Sequence, residues 1–324
     1  MRAGYSRQRL TESTTDKTEQ NGLRPPEGYQ PGCFIASIIV IAFSVLALIV
    51  MGLGDLISMI IPGSSGSFGP VNGTTRLLVL YFVAFGAWSM MRFRNPYSEI
   101  GLLFKRPAFY EFTAGFVLGE VAVGLVFIVI GIWGEIFFTD FLPETANMSN
   151  SASFSWLSAV YMILVYATAE EVLFRGFLYP WMRRSTGMTI AAIVTSLIFT
   201  MYHISNPAFL QSPLPLVNIF LASIFLTLLR DVTGDLWLAS GAHFSWNFMM
   251  VASGIPVSGI FMNIQPRDWY IVTGGPDWLT GGAFGPEGGI GATVAMVIMI
   301  IVLVFFINMR NSKSVKIADQ SQSG

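Results

Sequence analysis

The sequence predicts an all-α, polytopic membrane protein of about eight transmembrane helices around an intramembrane polar cavity, and three observations carry that expectation. Hydrophobic residues make up 53% of the 324 and charged residues only 11%, with a mean hydropathy of +0.61, whereas a soluble domain carries about 25% charged residues. The apolar residues are gathered into runs near the roughly 20 that a spanning helix needs. Finally, the few ionisable groups inside those runs recur at helical spacing, as groups facing a shared interior do.

Taken in order, residues 1–32 are polar, rich in Thr, Gln, Glu, Arg and Pro. They read as a disordered cytoplasmic tail, because no apolar core of signal-peptide type is present. The single cysteine, Cys33, excludes an internal disulfide and reads as a small interfacial residue, with nothing to support lipidation. A transmembrane domain then fills residues 33–309, with apolar runs at about 33–61, 77–91, 112–139, 154–182, 187–205, 214–229, 235–253 and 291–309. Gly52 and Gly54 give the first run a place to bend, and the second and sixth are short. Residues 254–290 form a loop rich in Gly, Pro and Trp, whose composition favours a flexible connector over a cap on a cavity. Residues 310–324 form a second cytoplasmic tail. No tandem repeat is visible.

Basic residues test the count. With the N-terminus in the cytoplasm, all 18 lysines and arginines fall on the cytoplasmic side except Arg76, Arg267 and the intramembrane Arg175. That asymmetry follows the positive-inside rule and favours eight spans with both termini cytoplasmic, in the cell membrane. The Asn-x-Ser/Thr triplets at Asn72 and Asn147 fall on the outer side, but such triplets arise often by chance. A net charge of −1 gives nucleic acid no electrostatic support, and the lipid bilayer is the one partner that composition requires.

The charges within the membrane carry the chemistry. The run 154–182 holds only Glu170, Glu171 and Arg175, and an unpaired charge there costs about 2.5–3.5 kcal/mol on insertion scales. Glu171 and Arg175 are four apart with the acid nearer the N-terminus, the favourable order for a helical ion pair. Glu170 points about 100° away and is left over. Both histidines of the chain fall in later runs, His203 at the end of Phe199-Thr-Met-Tyr-His203 and His243 in His243-Phe-Ser-Trp-Asn247, where His243 and Asn247 share a helix face. A hairpin turning near Thr186-Gly187 puts Glu170 and His203 at matching depth, each roughly 24 Å from the turn at the helical rise.

Glu170, His203, His243 and Asn247 in a partly wet cavity suit amide hydrolysis. The carboxylate acts as general base toward water with an imidazole orienting that water, while a second imidazole and an amide donate to an oxyanion. No serine or cysteine is coupled to a histidine by a recognisable motif, which favours attack by water over a covalent intermediate. Glu170, His203 and His243 are also a zinc ligand set, although no His-Glu-x-x-His pattern is present, so zinc remains an alternative. A structural ion pair accounts for Glu171 and Arg175 as well as a site role does. Phe199 reads as packing, Glu120 in the run 112–139 has no sequence partner, and Gly115-x-x-x-Gly119 beside it signals close helix packing.

Glu170-Glu171-x-x-x-Arg175, Phe199-x-x-x-His203 and His243-x-x-x-Asn247, in this order on three apolar helices within residues 154–253, resemble the three motifs of the CAAX prenyl protease and bacteriocin-processing (CPBP, Abi) family of intramembrane endopeptidases. Ile100-Gly-Leu-Leu ahead of the third run is similar to the family too. The resemblance implies an eight-helix fold, with Glu170 and His203 activating water, His243 and Asn247 stabilising the oxyanion, and Glu171 and Arg175 positioning the site. Many members are described as metalloproteases, and their substrates are peptides or proteins in or at the membrane, prenylated in the eukaryotic case. Two other classes compete: a proton-coupled transporter, since intramembrane Glu, His and Arg also mark ion pathways, and a catalytically inactive protein that binds membrane partners.

Overall fold

The computed structural model describes residues 100–140, 155–264 and 269–322. Helix α1 (Arg106–Trp133) starts with Pro107 in its first turn, where the missing N–H costs nothing. It ends at Gly134, whose φ of −140° and ψ of −149° turn the chain into strand β1 (Glu135–Thr139). Ser155 caps α2 (Trp156–Glu171), its Oγ accepting from the Ser158 N–H at 3.2 Å. A π-helical segment, Val172–Leu178, follows without a break and leads into α3 (Tyr179–Tyr202). Then come α4 (Leu214–Thr233), ended by Gly234 in the left-handed region, and α5 (Trp237–Ala252). Strand β2 (Tyr270–Gly274), the short α6 (Asp277–Thr280) and α7 (Ile290–Gln322) complete the order.

Among the described residues, four stretches are long and apolar enough to cross a membrane: Arg106–Trp133, Trp156–Tyr202, Leu214–Thr233 and Ile290–Arg310. The second is two antiparallel spans. At Gly187, φ is 81° and ψ is 170°, which folds α3 back on itself. Phe174 then meets Phe199 edge-on with ring centroids 4.9 Å apart. The expected hairpin at Thr186-Gly187 is therefore present. Helix α5 has only 16 residues and lies among the other helices. The runs 33–61 and 77–91 lie outside the described residues. Large apolar side chains face outward on α1, α3 and α7, among them Val117, Ile128, Ile190, Leu197, Ile301 and Phe305. Burying such surface in lipid is what an integral membrane protein does.

The run read as 112–139 needs correction. Its helix is displaced towards the N-terminus, because Pro107 starts it early and Gly134 stops it at Trp133. Residues Glu135–Thr139, rich in aromatic and β-branched side chains, pair antiparallel with Tyr270–Gly274, so the fold is mostly rather than wholly helical. The loop expected as a flexible connector packs against the bundle in its described residues, 254–264 and 269–290, with Ile255, Ile264, Leu279 and Phe284 buried, and Phe284 meets Phe209 edge-on with ring centroids 5.8 Å apart.

The core joins α1, α4, α5 and α7 through Val126, Leu229, Ala242, Met250 and Met296. At its centre the backbones of α1 and α5 almost touch. A Cβ on Gly115 would lie 2.0 Å from the Leu238 carbonyl oxygen, and one on Gly241 would lie 2.1 Å from that of Phe112. Small residues let apolar helices approach this closely, as the Gly115-x-x-x-Gly119 spacing implied. Gly115→Val is expected to lower the unfolding midpoint in detergent, at a cost of about 1–3 kcal/mol or more for overpacking against backbone. Gly124→Ala on the same helix meets nothing within 4 Å and serves as the control.

Candidate active site

The register of α2 is set by its motif. Glu171 and Arg175 are wholly buried and paired, with Arg175 Nη1 donating to Glu171 Oε1 at 2.9 Å across one turn. Arg175 Nη2 donates to Ser223 Oγ at 2.7 Å and to the Ser223 carbonyl at 3.1 Å, and the guanidinium stacks 4.5 Å above the Phe199 ring. A lysine has no fork with which to serve Glu171 and Ser223 together. Arg175 sits in the π-helical segment, and such segments often mark functional sites because they re-aim side chains within a helix. Gly176 lets this segment approach Ile100 and Leu236 closely. Ile100 packs with Val172, Phe177 and Leu236, and the Gly101 carbonyl accepts from the Leu236 N–H at 2.8 Å, which gives the Ile100-Gly-Leu-Leu stretch a structural job.

Glu171 also reaches across to α5, where His243 Nδ1 lies 2.8 Å from Glu171 Oε1. A carboxylate bonded by Arg175 is an acceptor, so His243 donates through Nδ1 and its Nε2 is turned towards Glu170, whose Oε2 is 3.7 Å away. Phe199 has a role beyond packing. Its carbonyl oxygen lies 2.8 Å from His203 Nδ1, and since a carbonyl only accepts, Nδ1 carries a hydrogen, which makes Nε2 the acceptor of the neutral ring.

Glu170, His203, His243 and Asn247 all line one cavity of about 160 Å³. That is room for on the order of ten waters, so water and a peptide group fit together. Each carboxylate and imidazole is largely buried, with Glu170 and His203 both 8% exposed. Five of the seven motif residues thus line the cavity, Phe199 among them, and Glu171 and Arg175 stand behind it. Glu120 does not line it, although its neighbour Gly119 does. Among the described residues, no three His, Cys, Asp or Glu side chains are arranged to hold a metal ion. Each Nδ1 is bonded, to Glu171 and to the Phe199 carbonyl, and Nε2 is the remaining nitrogen of each ring. No step below is routed through a metal ion.

Other lining residues went unnoticed in the sequence. Tyr166 lies one turn before Glu170 on the same face, a signal that the spacing offered. Asn206 follows His203 by three residues and Trp246 lies within the His243–Asn247 motif, whereas Ser258 and Glu287 come from the capping loop and had no motif to mark them.

Four stretches long and apolar enough to cross a membrane, in a mostly helical bundle with an apolar exterior, define the class, a polytopic integral membrane protein. Residues 152–249, a segment that contains all seven motif residues, match the family described as type II CAAX prenyl endopeptidase Rce1-like. The match supports a peptidase at the general level. No curated protein and no solved structure matches the chain significantly.

Proposed function

We propose that this protein is an intramembrane endopeptidase that hydrolyses a peptide bond of a membrane-associated substrate of the CAAX type, using water activated by Glu170 and His203. The observation that carries this reading is the convergence of Glu170, His203, His243 and Asn247 from three helices on one cavity, with Glu171 fixing His243 from behind. Glu170 takes a proton from water while His203 Nε2 accepts its other hydrogen and fixes its direction. The oxygen attacks the carbonyl carbon, and the electron pair of the C=O bond moves onto its oxygen. Asn247 and the Nε2–H of a doubly protonated His243 donate to that oxyanion. Collapse of the intermediate breaks the C–N bond, and Glu170 returns its proton to the leaving amine. This route needs no covalent acyl-enzyme.

The test is cleavage, in liposomes, of a panel of peptides with and without a C-terminal prenyl group, followed by mass spectrometry. Wild type is expected to cleave at least one peptide, and His243→Ala is expected to lose activity by about 10²–10³-fold, the cost of one oxyanion donor. Exhaustive dialysis against a strong chelator is expected to leave activity in place. Activity that vanishes on chelation and returns with zinc would replace the metal-free route. If wild type cleaves nothing across the panel, the peptidase reading falls, and ion flux and partner capture separate the transporter from the binding protein.

A further inference from the structure

The capping loop places a second buried carboxylate in the wall of the cavity. Glu287 is 4% exposed and lines the same space as Glu170. Its Oε1 accepts from Trp246 Nε1 at 2.5 Å, next to Asn247 on α5. Its Oε2 accepts from both the backbone N–H and the Oγ of Ser258, the latter at 2.8 Å. Ser258 has a φ of 46°, so a non-glycine residue is held in the left-handed region with both donors turned onto one carboxylate oxygen. The backbone carbonyl of Glu287 is fixed as well, accepting from Asn218 Nδ2 at 2.7 Å. This carboxylate is built in.

Two features give it a use beyond fastening the loop. A carboxylate offers about four acceptor positions, and the protein fills three, leaving one on Oε1. Moreover, the described lining contains Glu170 and Glu287 but no lysine or arginine, its imidazolium, His243, is taken up by Glu171 and Glu170, and Glu287 forms no ion pair among the described residues. An intramembrane charge without a cation is expensive, and ligand or substrate groups commonly serve as its partner. We infer that Glu287 is a specificity-determining residue, whose free acceptor position binds a cationic side chain, lysine or arginine, of the peptide segment held in the cavity. The inference rests on the peptidase reading and narrows it. Favoured substrates carry a basic residue close to the cleaved bond, and an acidic residue in that place is rejected by like charge in a poorly hydrated space.

The experiment uses the full chain in liposomes and one cleaved peptide, varied at each position flanking the cut among Lys, norleucine and Glu. Binding of the same labelled peptides to the protein in detergent is measured alongside turnover. At one flanking position wild type is expected to prefer Lys over norleucine by about tenfold in both affinity and kcat/KM, the worth of one charge-assisted hydrogen bond. Glu should rank below norleucine. In Glu287→Gln the Lys-to-norleucine ratio is expected to fall to about one, whereas in Trp246→Phe, which keeps the charge, the preference should persist. No preference for Lys at any position in wild type overturns the inference without recourse to a variant, as does a preference that survives Glu287→Gln. If nothing is cleaved yet Lys peptides bind in a Glu287-dependent way, the peptidase reading fails and the recognition site stands.

Discussion

Glu170→Gln is expected to lower peptide cleavage by about 10²–10⁴-fold, the usual worth of a positioned general base, with the unfolding midpoint close to wild type. The asymmetry follows from what Glu170 touches. Its nearest ionic contact, His243 Nε2 at 3.7 Å, is longer than a hydrogen bond, and the side chain lines the cavity without fastening one helix to another. Glutamine has the same shape but cannot take a proton from water. Little packing is therefore lost while the proton acceptor is removed. Mass spectrometry of the cleaved peptide and thermal unfolding in detergent check the two halves separately. Turnover near wild type would remove Glu170 from the mechanism, and a large fall in midpoint would make it a structural residue.

How much of this was legible beforehand depended on whether the information was local. The ion pair Glu171–Arg175, the hairpin at Gly187 and the close approach at Gly115 and Gly119 all rest on spacings of three or four residues or on one glycine, and the structure has them. Matching the depth of Glu170 and His203 needed only the helical rise. The bond from His243 to Glu171 joins residues 72 apart, and no spacing announces it. Glu287 shows the limit best. Its sequence neighbours are glycine and proline, which read as a flexible connector, but they are there because the cap turns sharply and runs against backbone. A Cβ on Gly281 would lie 1.7 Å from the Gly285 carbonyl oxygen, and one on Gly289 would lie 2.2 Å from that of Leu279. Glycine that permits close packing and glycine that permits disorder are the same letter. The helix shift in the run 112–139 has a similar cause, since the β1–β2 pairing joins residues more than a hundred apart.

Arg175→Met is expected to destabilise the protein by about 3–5 kcal/mol, the cost of leaving one partner of a buried ion pair uncompensated. The carboxylate of Glu171 would retain only His243, since its Oε2 already lacks a hydrogen-bond partner, and Ser223 would lose a donor at both its hydroxyl and its carbonyl. Arg175→Lys keeps the charge but not the fork, so a smaller loss is expected. The double variant Glu171→Leu with Arg175→Met separates stability from function. Replacing a whole buried pair by apolar residues of similar volume is often neutral or stabilising, so the unfolding midpoint should recover much of what Arg175→Met loses. Cleavage should not recover, because His243 Nδ1 has lost the acceptor that holds its ring towards Glu170. A double variant that is both stable and active would make the pair a device for burial alone. One that is stable and inactive would mean that this intramembrane charge is retained for aiming an imidazole, at a cost in stability that apolar side chains would avoid.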